Sequence, residues 1–156
     1  MAIATRARPA ASAPAGPAAS GLRALALCLG VFLLAQGYGK LTWFTDSGPL
    51  DAALQGWLRT ATPTSRWYLE TVAIPGLPMF ARLVPAGELL AGAALVVGFW
   101  PRLAAAAALL MVLNFHLASG ALFQDRFLSN AYGLPVLGAL LAIAVGGARL
   151  PWSART

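Results

Sequence analysis

The side chains of this sequence that could move protons or bind a redox-active ligand are few, and they sit where charge is costly. Glu88 lies in LVPAGELLAGAALVVGFW, the run from Leu83 to Trp100. It is the only charged residue well inside any of the chain's four long apolar runs. An ionised carboxylate in hydrocarbon is expensive, so such a residue is paired, protonated or turned to a cavity. His116 and Asn114 lie inside a second run, Gln36, Tyr38 and Lys40 close another, and Asn130 and Tyr132 open the last. Counting from Pro101 as a turn, Glu88 is thirteen residues before it, and Asn114 and His116 are thirteen and fifteen after it. Since a helix rises about 1.5 Å per residue, all three lie at similar depth. Carboxylate and imidazole together form a candidate proton-handling pair. Asn114 and His116 are roughly 200° apart around a helix, so they cannot both face Glu88. His116 is assigned to Glu88, and Asn114 to a bond with another helix.

The elements that must position these groups follow from composition. Of 156 residues, 59% are hydrophobic and only 10% charged, and the mean hydropathy is +0.72. So little charge cannot cover a soluble domain. The apolar residues also fall in blocks of bilayer-crossing length. Four spans are expected: Leu22 to about Thr42, Ala81–Trp100, Leu103–Phe123 and Phe127–Ala148. None alternates as a membrane strand would. Trp100-Pro101-Arg102 and Gln124-Asp125-Arg126 are connections short enough to force antiparallel neighbours. The expected fold is an all-α membrane protein, an antiparallel four-helix transmembrane bundle over residues 21–150. A disordered Ala/Pro-rich tail is expected over residues 1–20, and a short tail over residues 151–156. The first span also has features of a signal peptide, with Arg6, Arg8 and Arg23 before it and Ala35-Gln36-Gly37 as a small-x-small site. Its length and its aromatic, lysine-bearing end favour a retained span.

Arg6, Arg8, Arg23, Arg102, Arg149 and Arg155 fall on one side of this arrangement with no acid among them. The positive-inside rule then puts both termini in the cytoplasm of a multi-pass cell-membrane protein. On that orientation, every strongly polar intramembrane side chain lies in the outer half. The net charge of +6 is scattered along the chain, which excludes a nucleic-acid-binding face. The single cysteine, Cys28, lies within a span and cannot form an internal disulfide.

In the long outer connection, Leu50, Ala53, Leu54, Trp57 and Leu58 share one helical face, with Asp51, Gln55 and Arg59 opposite. An amphipathic helix is expected there, started by Ser47 and Pro49, lying in the interface or capping the bundle. It also offers a docking surface for a soluble or membrane redox partner. Oligomerisation is left open.

Gln36-Gly-Tyr-Gly-Lys40-Leu41 resembles the Gly-x-x-Lys-Leu signature of the DoxX family of small four-helix membrane proteins. The second span, with Glu88, Gly92, Leu95, Gly98 and then Arg102, and His116 in the third, resemble it as well. The likeness covers about residues 22–148. Trp100-Pro101-Arg102 departs from the family's style of turn, and the long Trp-bearing loop looks closer to the DoxD branch, the small subunit of thiosulfate:quinone oxidoreductase. What the resemblance implies is a redox-associated membrane subunit, at most part of a quinone-linked oxidoreductase. Glu88 and His116 would handle protons, and Gln36, Tyr38, Lys40, Arg82, Asn114 and Asn130 would bind substrate or quinone. The sequence has no CxxC, haem-ligating His pair, nucleotide loop or metal-ligand cluster, so if the chain takes part in electron transfer, either a partner holds the cofactor or a membrane quinone is the only one. Two alternatives stand beside this reading: a proton-coupled carrier using Glu88 and His116, and a purely structural scaffold.

Overall fold

A computed structural model describes residues 16–148 and 150–154. The tail over residues 1–15, and Arg6, Arg8, Arg149 and Arg155, lie outside the described residues. The described chain is all-α, without a strand. Helix α1 spans Pro17–Tyr38, with proline in its first turn, where its missing N–H costs nothing. It begins earlier than the expected span and takes in residues 17–20, assigned above to the tail. The amphipathic α2 is Gly48–Arg59, and its start is marked by the Asp46 carboxylate, which accepts from the Gly48 N–H at 2.8 Å. Helix α3, Pro63–Tyr68, was not expected. It is capped by the Thr62 hydroxyl, which accepts from the Ser65 N–H, and runs on into a π-helical turn over Leu69–Ala73.

The apolar helices α4, Leu77–Val97, and α5, Pro101–Ala118, follow. Three residues join them. Gly98 and Trp100 both adopt positive φ, at 77° and 42°, which lets so short a turn close. After a four-residue turn of helix, α6 (Arg126–Ser129), comes α7, Leu134–Gly146. The expected fourth span is therefore shorter than Phe127–Ala148. Pro135 is tolerated only in a first helical turn, and the Asn130 side chain accepts from the Tyr132 N–H at 2.9 Å, turning the chain just before it. At 13 residues α7 is roughly 20 Å long, against about 30 Å of hydrocarbon. Three helices, α1, α4 and α5, are long and apolar enough to cross a membrane.

Burial is arranged as a membrane demands. Leu90 and Leu110 are 73% and 68% exposed on the outside of the helices, while Ala26, Leu95, Ala105, Leu140 and Ile143 form the core. Helix α1 packs along α4, and α7 sits against α5 and α1. Small residues set the α1–α4 distance: a Cβ on Gly92 would lie 2.8 Å from the Gly30 carbonyl oxygen, and one on Gly37 would lie 2.8 Å from Leu89. The amphipathic α2 caps this body, burying Leu50 and Leu54 against Leu69, Ala73, Ala81 and Ala118. At the opposite end, the buried Arg23 guanidinium donates to the carbonyls of Leu95 (2.7 Å) and Val96 (2.6 Å), among the unsatisfied groups ending α4. Arg102 does the same for Ala144 at the end of α7 (2.9 Å).

Gly92→Ala is expected to lower stability by about 1–3 kcal/mol, because backbone rather than a flexible side chain must yield. Gly138 in α7 has open space around its Cβ position, so Gly138→Ala should be neutral or stabilising. Detergent-titration unfolding of the two variants checks the contrast.

Candidate functional site

Lys40 follows the end of α1, and its ammonium reaches over the α1–α4 contact to Glu88. The Nζ lies 2.7 and 2.8 Å from the two carboxylate oxygens. It also donates to the backbone oxygen of Gln36 (3.2 Å) and to its side-chain oxygen (3.4 Å), and lies 5.8 Å from the Trp43 ring centroid. Side-chain exposure is 18% for Lys40 and 6% for Glu88. An ammonium has three protons. With four oxygens around it, none is left over for a ligand.

The pair forms part of the wall of a cavity of about 430 Å³. Helix α1 contributes Phe32, Leu33 and Gln36, at the spacing of one helical face. Val112, Phe115 and His116 do the same on α5, with Ser119 just past its end, and Ala53 and Trp57 of α2 also line the cavity. Asn130, Tyr132 and Val136 complete it. Tyr132 stacks on Phe32 with ring centroids 5.6 Å apart, and Trp57 meets Phe115 edge to face at 6.3 Å. The result is an apolar, aromatic chamber with a few polar groups, the usual construction of a small-molecule site.

Of the residues singled out from sequence, Gln36, Lys40, Glu88, His116 and Asn130 meet in this cavity. His116 shares it with Glu88 but makes no hydrogen bond to it. Its Nδ1 is 2.8 Å from the Val112 carbonyl oxygen one turn back, and its ring packs edge-on against Phe127. The carboxylate's partner is Lys40 instead. Asn114 does bond another element: its side-chain oxygen accepts from the Tyr68 hydroxyl, beside a separate small pocket. Burial holds the Tyr68 phenol above its ordinary pKa, and the bond to Asn114 acts in the opposite sense. Tyr38 is 74% exposed and outside the cavity. Arg82 is also outside it, donating to the Ser47 hydroxyl and to the Pro78 carbonyl (2.9 Å). Trp43 and Trp57, from the segments between α1 and α3, also line the site. Ser119, Phe32 and Phe115 went unmarked, although the three residues from His116 to Ser119 and the four from Phe32 to Gln36 were a usable signal.

Such a helical body, with apolar residues outside and a paired charge inside, defines a multi-pass membrane protein. The DoxX family model matches residues 21–119, and the chain belongs to the DoxX family. No curated protein and no solved structure matches it.

The ion pair can be tested by a double-mutant cycle. Lys40→Met or Glu88→Leu alone should cost roughly 3 kcal/mol, near the low end for orphaning one member of a buried pair. The double variant should cost clearly less than the sum. Additive losses in detergent-titration unfolding would show that the pair carries no coupling.

Proposed function

We propose that this chain is a redox-associated membrane subunit whose cavity holds a membrane quinone, within a complex that oxidises a sulfur compound at the outer face. The observation that carries this reading is the cavity itself: aromatic and aliphatic walls for a ring and its tail, and polar lining groups in Glu88, His116, Gln36 and Asn130 for its oxygens, with Lys40 paired to Glu88. Reduction of a quinone takes two electrons and two protons. The electrons would come from a partner subunit, since among the described residues no group of His, Cys, Asp or Glu could hold a metal. Glu88 and His116 would handle the ring's protons or orient its oxygens, Gln36 and Asn130 would hydrogen-bond to it, and Lys40 would hold Glu88 in place beside it. Arg82, Tyr38 and Asn114 would act from outside the cavity, Arg82 by tying α4 to the start of α2. The DoxD-like length of the outer loop fits this assignment.

The surrounding architecture proposed is an antiparallel four-helix membrane domain with both termini cytoplasmic, α7 and the turn before it making the fourth crossing. Two contacts support it. Partner positions on α4 fall from Gly92 to Leu89 to Glu88 as those on α1 rise from Gly30 to Gly37 to Lys40. Non-helical backbone before α7 also lines a cavity, the circumstance in which it is tolerated at membrane depth. A proton-coupled carrier is disfavoured, because the charged groups at the Arg23 end among the described residues, Arg23 and Arg102, donate to helix-terminal carbonyls.

Glu88→Gln should leave the complex assembled but lower quinone reduction by about a hundredfold, the modest end of general acid–base contributions. Purification from native membranes in mild detergent, followed by quinone-reduction assays and identification of the co-purifying chains, checks both parts. Undiminished activity would make Glu88 a packing residue, and purification without any partner would favour a scaffold.

A further inference from the structure

The polar atoms of the cavity specify more than its polarity. Lys40 is the only cation lining it among the described residues, and its ammonium is taken up by Glu88 and Gln36. Among the described residues the charge in the wall therefore sums to zero, and an incoming anion would find no free positive group among them. His116 adds a directional constraint. The Val112 carbonyl carries no hydrogen, so the Nδ1 that contacts it must be the protonated nitrogen. In the neutral ring Nε2 is then a bare lone pair. His116 is 6% exposed, and no described group hydrogen-bonds its Nε2. A second ring proton would add an unmatched charge to a wall whose only carboxylate is already neutralised by Lys40. An oxygen placed against Nε2 must therefore bring its own hydrogen. The remaining rim groups do not discriminate in this way, since the amides of Gln36 and Asn130 each have donor and acceptor ends.

Resting on the quinone reading above, we propose that the cavity selects a neutral ligand with a hydroxyl donor, a hydroquinone in preference to its quinone or to an oxyanion, with His116 Nε2 as the acceptor that makes the choice. A quinone carbonyl would face that lone pair with one of its own. A phenolic hydroxyl donates to it, and can still accept from the Gln36 or Asn130 amide at the same oxygen. His116 is on this view a specificity-determining residue.

The test is isothermal titration of the full chain in nanodiscs under argon, with empty nanodiscs subtracted. The probes are a short-chain benzohydroquinone, the matching benzoquinone, the hydroquinone dimethyl ether and thiosulfate. The hydroquinone should bind about tenfold more tightly than the quinone or the ether, the value of one good hydrogen bond. Thiosulfate should give no binding heat. His116→Phe should level the three aromatic affinities, and His116→Gln, which keeps an acceptor, should preserve the order. Equal affinities for hydroquinone and ether in the unmodified protein, or thiosulfate that competes with the hydroquinone, would overturn the inference and leave the quinone reading standing. Binding of neither ring form would overturn both. The unmodified protein's ligand series decides the matter even if His116→Phe does not fold.

Discussion

The ion pair between Lys40 and Glu88 sets the terms for everything around it. A carboxylate in the apolar middle of α4 is tolerable only if a cation arrives within hydrogen-bond reach, and that cation comes from just beyond the end of a different helix. For Lys40 to span the gap, α1 and α4 must run nearly in backbone contact. Glycine is what permits it. Gly30 faces Gly92 and Gly37 faces Leu89 at distances that leave no room for a methyl group, and these same contacts fix the register that sets Lys40 opposite Glu88. The electrostatic need and the close packing are one constraint seen twice.

Much of this was legible in the sequence, but the pairing was not. Glu88, Lys40, His116, Gln36 and Asn130 all stand out as polar groups in apolar runs, and they do converge. The turn at Pro101 gives a depth scale linking α4 to α5, so His116 was placed level with Glu88 and matched to it. No such scale links α1 to α4, because the long segment between them folds into α2, α3 and a π-helical turn rather than a hairpin. The length of a lysine side chain then decides a contact that residue spacing cannot. His116, for its part, satisfies one ring nitrogen within its own helix, a local choice that leaves no trace in the pattern of apolar residues. Asn114, about 200° from His116, faces the other way and bonds Tyr68.

The two ends of the protein use their charges differently. At one end Arg23 and Arg102 are bound to the last carbonyls of α4 and α7, so residues that read as topological charges also close helix ends that the hydrocarbon would leave unsatisfied. Among the described residues, the buried side-chain polar atoms left without a hydrogen-bond partner are Arg23 Nε and the Ser153 hydroxyl, both sealed from solvent. At the other end, α7 starts late. Pro135 and the turn at Asn130 hold the chain out of helix just where a full-length span would have filled space, and Asn130 and Tyr132 instead face the cavity. The shortness of α7 and the existence of the cavity have the same cause.

A buried ion pair is a poor device for stability alone. Desolvating two charges costs about as much as their attraction returns, and a well-packed apolar pair of similar volume serves as well or better. If Lys40 and Glu88 were only a fastening between α1 and α4, the natural construction would pack them tightly and leave no space beside them. They border about 430 Å³ of it instead. The same space is lined by a histidine with one ring nitrogen that no described group bonds and by two tryptophans carried on segments outside the long helices. Charges held neutral as a pair keep the chamber polar at one edge without giving it a net field. A site built this way suits an uncharged, partly polar ring, and it explains why the costliest residue in the chain sits where it does.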